Sequence, residues 1–225
     1  MRRRSLPHTL RLMARIDYFY SAHSAYAYLG AQALYRICAA HPGTELVHRP
    51  ILLSPVVEAA GGLSFAARSQ AHVDYFFGRE IERWAEWRGL PVIDHRPTYH
   101  DNPLDLPNGL IIAAQRDGLD VNALSFAILQ AHWRDDADIA DPRLLSELLV
   151  RLGLPVEPLM AAARSAPAID EQAVNTQEAI DRALFGSPTY VVDGDPFYGQ
   201  DRLELVARAL TRPFRPGNWH NPPVG

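Results

Sequence analysis

The chain contains no lysine: arginine supplies all 22 of its Lys+Arg positions. That excludes a Schiff-base nucleophile, an internal aldimine with pyridoxal phosphate and a P-loop lysine. It contains one cysteine, Cys38, which excludes an intramolecular disulfide, a CxxC redox pair and a cysteine-rich zinc site. Any thiol chemistry must therefore use Cys38 or a thiol brought in by a ligand. No apolar run approaches the roughly 20 residues needed to cross a bilayer. The start also lacks an apolar segment long enough for a secretory signal. No membrane association and a cytoplasmic location are the expectations.

The 225 residues, 48% hydrophobic and 21% charged, suit one large domain or a domain with an insertion. A chain this long buries enough surface to need no covalent or metal staples. The net charge of −4 is unevenly spread. Five arginines and no acid fall within residues 1–15, leaving 17 arginines against 26 acids, net −9, in the remainder. A net acidic body argues against nucleic acid as a partner. Residues 1–14 read as a basic, disordered extension ahead of the fold.

Residues 16–20 (IDYFY) are rich in β-formers and predict a strand. A helix follows to about residue 40, with Tyr28, Ala31, Leu34, Tyr35 and Cys38 at helical spacing and His41-Pro42-Gly43 as its stop. Residues 44–49 predict a second strand, parallel to the first, because a crossover helix joins them. The middle is helical. Val73, Phe77, Ile81 and Trp84 form one stripe, Leu110, Ile111 and Ala114 another, and Leu124, Ala127, Ile128 and Ala131 a third begun by Asp120. Asp141-Pro142 is an N-cap followed by proline at the first helical position, and shorter helices are expected over 157–165 and 170–184. Residues 189–192 and 196–198 predict a hairpin across Asp193-Gly194, and 201–210 a last helix with Asp201 and Glu204 at capping-box spacing.

This order, βαβ, then about 130 helical residues, then ββα, is that of a thioredoxin-like α/β fold with an all-helical insertion between its halves. The expected division is 15–52 with 187–212 for the thioredoxin-like domain, 53–186 for the helical insertion domain, and 213–225 for a Pro-rich tail. In such a fold the chemistry lies at the start of the first helix, where free N–H groups and the helix dipole favour an anion such as a thiolate. Ser24-Ala25-Tyr26-Ala27 stands there with serine and alanine in place of two cysteines, so dithiol exchange is excluded.

Tyr18 through Leu29 resembles the opening of the 2-hydroxychromene-2-carboxylate isomerase family, relatives of kappa-class glutathione transferases and DsbA-like thioredoxins. Glu80-Ile81-Glu82-Arg83-Trp84-Ala85, Trp133 with Asp138-Ile139-Ala140-Asp141, and Gly186-Ser187-Pro188-Thr189 with Gly199-Gln200-Asp201-Arg202-Leu203 resemble three further segments of that family. The likeness covers about residues 16–210. Ala25 departs from it where proline is usual, and Ser21 where an acid is common.

The resemblance implies glutathione as cofactor and, as catalytic residue, Ser24 beside the glutathione sulfur. It implies cofactor contacts from Ser187, a cis Pro188, Gln200 and Asp201, and a substrate contact from Asn102. The implied reaction is cis-trans isomerisation of an unsaturated aromatic carboxylic acid by reversible thiolate addition, as in aromatic compound catabolism. A homodimer is a further implication. The alternatives are a kappa-like glutathione transferase and a non-catalytic DsbA-like binding or chaperone module.

Each residue also has a purely structural reading: Ser24 as a helix cap, Asp201 as a cap of the last helix, Cys38 as a buried inert thiol. The nine histidines show no metal-ligand spacing, so no metal is expected and they read as scattered groups; His23, directly before Ser24, is the exception, with a thiolate-tuning reading beside the favoured one of facing solvent. Arg49, Arg79, Arg83 and Arg202 are the candidate cations for an acidic substrate. Trp84 and Trp87 read as packing residues.

Overall fold

The computed structural model describes residues 14–223; the basic segment foreseen over 1–14 lies almost wholly outside them. Strand β1 (Arg15–Tyr20) pairs in parallel with β2 (Glu45–Pro50), and helix α1 (Ala25–Ala40) joins the two. β1 also pairs antiparallel with β3 (Thr189–Val192), which pairs antiparallel with β4 (Asp195–Tyr198). The sheet order β2-β1-β3-β4 is the one the βαβ/ββα sequence order requires.

Between β2 and β3 lie α2 (Leu53–Ala59), α3 (Gln70–Asp74), α4 (Glu80–Arg88), α5 (Asp105–Arg116), α6 (Val121–Asp135), α7 (Pro142–Arg151), α8 (Val156–Ala163) and α9 (Ala166–Asp181). Helix α10 (Leu203–Thr211) closes the fold, after which the described tail is irregular. Asp120 accepts from the Ala123 N–H at 3.1 Å and Asp141 from that of Arg143 at 2.8 Å, so both foreseen caps form.

Strand alternation divides the core. Ile16, Tyr18 and Tyr20 point toward α1, α6 and α10, in a cluster that also takes in much of the helical segment. Phe19 and Val191 point the other way, against Val56, Ala179 and Leu184. Asp17 shares that second face and holds Arg15 and Arg49; hydrogen bonds from the two guanidinium groups keep its carboxyl below the usual range despite burial.

Two expectations need correction, and one stretch gains elements not named from sequence. The apolar stripe through residue 84 is not one helix: a π-helical turn, Tyr75–Arg79, separates α3 from α4, and it aims Phe76 and Phe77 together at one side. Such turns are often found at functional sites. Helix α2 and the 3-10 turn Phe65–Ala67 lie in a part of the helical segment where no individual element was predicted. The capping box at 201–204 does not form, because a 3-10 turn, Gln200–Arg202, precedes α10 and the Asp201 carboxylate turns to Arg202 at 2.5 Å instead. Gly199, at φ 102°, makes the entry to that turn, and its N–H donates to the Pro188 carbonyl at 2.9 Å.

Candidate functional site

Helix α1 begins at a joint between two distant segments. Ser24 is its N-cap, with extended backbone angles (φ −76°, ψ 122°), and its Oγ accepts from the Ala27 N–H at 3.2 Å. The same hydroxyl donates to the Ser187 carbonyl at 3.4 Å, and the Ser187 hydroxyl accepts from the Ser21 N–H at 3.0 Å. The Ser187–Pro188 peptide is cis. The fold thus brings together Ser24, Ser187 and Pro188. The cap reading of Ser24 holds, and the same residue lines the cavity described next. At 3.4 Å the bond to Ser187 is long and weak, so the hydroxyl proton can turn to a stronger acceptor at little cost. The first turn of α1 contains no acid, so nothing opposes an anion there.

A cavity of about 350 Å³ opens beside this joint. His23, Ser24 and Ser187 line it together with Tyr26, Phe65, Phe76, Phe77, Trp133 and Tyr198. The walls are mostly apolar and rich in aromatic rings, with Arg68, Arg96 and the carboxylates of Asp74, Glu82 and Asp94 also on the lining, which suits a flat apolar ligand carrying polar anchors. Burial pushes the Tyr26 phenol well up, so it stays protonated and donates to the Phe76 carbonyl at 2.5 Å, tying α1 to the π-helical turn.

Two arginines reach the cavity, and neither is among the four sequence candidates. Arg96 is held bidentately by Asp101 at 2.8 and 2.6 Å and is neutralised by it. Arg68 has no carboxylate partner among the described residues. Its Nη1 meets His72 Nε2 at 3.0 Å, its Nη2 donates to the Leu63 carbonyl at 2.7 Å, and its Nε is buried without a partner. A guanidinium in that state suits an anionic ligand. Arg49 lies on the far face of the sheet with Asp17 and Asn175; Arg79, Arg83 and Arg202 are paired with Glu82, Glu80 and Asp201 and none lines the cavity.

The histidines are not all scattered. His23, read from sequence as facing solvent, is tucked against His100, ring centroids 4.3 Å apart and planes within 5°. His100 in turn stacks on fully buried His132, centroids 5.2 Å apart, and their Nδ1 and Nε2 atoms are 2.9 Å apart. Burial holds all three imidazoles below the usual range, His132 to about 4 and His100 to about 2, the neighbouring imidazoles adding to the effect on His100. At neutral pH all three are uncharged. Positions 23, 100 and 132 share no spacing that sequence reading could detect. Among the described residues no group of histidine, cysteine and acidic side chains is arranged to hold a metal ion.

The remaining candidates lie apart. Gln200 and Asp201 border a second, shallower groove with Trp84, Trp87 and Arg88, not the cavity. Gln200 is buried, and its side-chain oxygen accepts from Arg88 at 2.8 Å. Asn102 does not line the cavity either; its amide donates to Asp138 at 2.9 Å. Cys38 sits on α1 well past its start, and burial pushes its thiol up to about 11. Trp84 packs on the core under Arg88, while Trp87 is exposed.

Residues 15–211 match the family described as the DSBA-like thioredoxin domain. The chain is 25% identical over 203 residues to the 2-hydroxychromene-2-carboxylate isomerase of Pseudomonas putida, an alignment covering 88% of this chain and 94% of that protein. It is 26% identical over 203 residues to the protein of the same name from Sphingobium xenophagum, covering 87% and 97%. A solved structure of 2-hydroxychromene-2-carboxylate isomerase superposes with a TM-score of 0.72 at 23% identity, over 88% of this chain and 95% of that one, and so shares the fold.

Proposed function

The chain belongs to the DsbA-like thioredoxin domain family, and from that premise we propose that it is a glutathione-dependent isomerase acting on an unsaturated aromatic carboxylic acid of the 2-hydroxychromene-2-carboxylate type. The observation that carries the reading is Ser24. A serine hydroxyl occupies the anion-favouring start of α1, beside a cis proline and in the wall of an aromatic cavity, where a redox protein of this family would carry a cysteine.

The residues present fit glutathione at two points. Ser24 offers a hydroxyl donor for a sulfur anion, and Arg68, with its partnerless buried Nε, offers a cation for a carboxylate. For the γ-glutamyl end the proposal keeps Asp201, whose carboxylate is part exposed beside Arg202. When bound, glutathione supplies a sulfur that adds reversibly to a conjugated carbon, so that a double bond can turn as a single bond.

The protein does the rest. Ser24 Oγ–H turns from the Ser187 carbonyl to the sulfur and holds it as an anion. The Ser187 backbone, free at its carbonyl once Ser24 has turned, takes the cysteinyl N–H. Phe65, Phe76 and Phe77 hold the aromatic ring and exclude water, which strengthens each polar contact inside. Asn102 is kept as a substrate contact only through its place on the loop that also carries His100.

The test is isomerisation of 2-hydroxychromene-2-carboxylate, followed by absorbance, with and without glutathione. Glutathione-dependent turnover by the unaltered protein, reduced about 100-fold in Ser24→Ala with glutathione still bound, is the expected result. Turnover without glutathione, or full activity in Ser24→Ala, refutes the proposal. A stable glutathione conjugate among the products would instead make the protein a transferase.

A further inference from the structure

The three stacked imidazoles are adjacent to Ser24 yet play no part in the chemistry described so far. Their hydrogen bonds settle where the protons are. A backbone carbonyl can only accept, so His23 Nδ1, 3.2 Å from the His100 carbonyl, must carry the proton. His23 Nε2 is then a bare lone pair, and it has no hydrogen-bond partner among the described residues. By the same logic His132 Nδ1 points its proton at the Ala137 carbonyl, at 3.5 Å, and its Nε2 accepts from His100 Nδ1–H. His100 Nε2 is left bare as well. Trp133 Nε1–H donates to the His23 carbonyl at 2.8 Å and fixes the backbone immediately before Ser24.

We infer that His23 is the proton acceptor for the thiol that binds beside Ser24, with His100 and His132 as the residues that position it and set its basicity. The inference rests on the glutathione reading above. The thiol S–H bond breaks, an N–H bond forms at His23 Nε2, and the electron pair stays on sulfur, where Ser24 Oγ–H donates to it. When the sulfur leaves the ligand carbon at the end of the cycle the same proton returns to it, so no oxidant, reductant or net proton is consumed.

The surroundings keep His23 neutral until a sulfur anion stands beside it. The groups that face His23 are His100, Arg96 and Asp101 from the loop before α5, His132 from α6, and Ser24 on its own segment. Arg96 and Asp101 largely cancel each other through their bidentate pair. Burial lowers the ordinary basicity of His23, so its lone pair is available at neutral pH, and the charged form lasts only beside a sulfur anion. His100 and His132 cannot share the charge, because a second proton in the stack meets the first at ring-contact distance.

Two readouts test this. In the protein without ligand, long-range proton–nitrogen NMR of the imidazoles should show His23 neutral at pH 7 and protonated on Nδ1. A His23 protonated on Nε2 overturns the inference. In the glutathione complex, the ultraviolet absorbance of the thiolate is titrated in the unaltered protein, in His23→Gln and in His100→Asn. The amide introduced by His23→Gln can still donate to the His100 carbonyl but cannot take a proton, so the bound thiol should titrate about one unit higher, with about ten-fold less thiolate well below its pKa. His100→Asn removes the stacked neighbour and keeps the acceptor, so His23 should titrate closer to its ordinary value while thiolate still forms. If both variants bind glutathione with the thiol titration unchanged, His23 is not the acceptor and the inference falls while the glutathione reading stands. If the unaltered protein does not bind glutathione at all, that reading falls and takes the inference with it.

Discussion

Mild acid should destabilise this protein between pH 7 and pH 5, through three buried histidine sites. His48 is 1% exposed; its Nε2–H donates to Asn122 Oδ1 at 2.8 Å and its Nδ1 accepts from the Tyr20 hydroxyl at 2.8 Å, so the neutral ring is fully satisfied. Burial lowers it from 6.5 to about 4. His132 is fully buried and is likewise lowered to about 4. His100 is lowered as well, to about 2, and takes up its own proton in the unfolded chain, so it counts as a third site. A group whose folded pKa is depressed binds its proton first in the unfolded chain, so the stability it lends is lost as pH falls through 6.5 toward 4. At pH 5 the loss is about 2 kcal/mol per site, or about 6 kcal/mol for the three, a large part of the roughly 5–15 kcal/mol typical of a domain. His95 works in the opposite direction, since Asp94 and Asp136 raise it, but it is exposed and screened. Asp17, Asp101 and Asp136 are held below 3.8 and lend stability that is lost only under stronger acid. Urea unfolding at pH 7, 6 and 5 measures the effect, and His48→Gln, which keeps an acceptor and a donor without titrating, should remove about a third of the slope. Equal stability at pH 7 and pH 5, or an undiminished slope in His48→Gln, would refute the reasoning.

Gly30 lies where α1 presses on the turn before α10: a Cβ there would stand 2.7 Å from Gln200 Cβ and 2.8 Å from the Tyr190 hydroxyl. Gly30→Ala should cost about 1–3 kcal/mol by overpacking, offset by up to about 1 kcal/mol of helix propensity, and thermal melting would report a Tm lower by a few degrees. Arg68→Gln should weaken binding of glutathione about ten-fold or more, as calorimetry would show. Cys38, with its thiol pushed up to about 11, should react with iodoacetamide at pH 7.5 far more slowly in the folded protein than in urea; rapid alkylation of the folded protein would overturn the assignment of Cys38 as inert.

Strand and helix order was legible because it depends on local physics. The β-formers of 16–20, the caps Asp120 and Asp141 and the turn at Asp193-Gly194 each act within a few residues of chain. The π-helical turn was not legible, since Val73, Phe77, Ile81 and Trp84 keep nearly helical spacing across it. The capping box at 201–204 failed because the spacing is necessary for a cap and not sufficient: Gly199 starts a 3-10 turn that points Asp201 elsewhere.

For the site, sequence by itself determined that this protein has no pair of cysteines for dithiol exchange and that a serine stands at the start of the first helix, which follow from residue identity and element order. The place of Ser187-Pro188 beside that serine was implied by the family resemblance. Which charges and bases surround that serine was decided by the tertiary structure. Arg68, His100 and His132 come from the loop ahead of α3, the loop before α5 and the end of α6, and a cation or imidazole in any of those places looks like a surface residue until the helices pack. Burial then removes water from the imidazoles, which keeps them neutral, and the Asp101 carboxylate neutralises Arg96 while Arg68 stays unpaired. Desolvation and pairing are properties of neighbours in space, and so they exist only once the chain has folded.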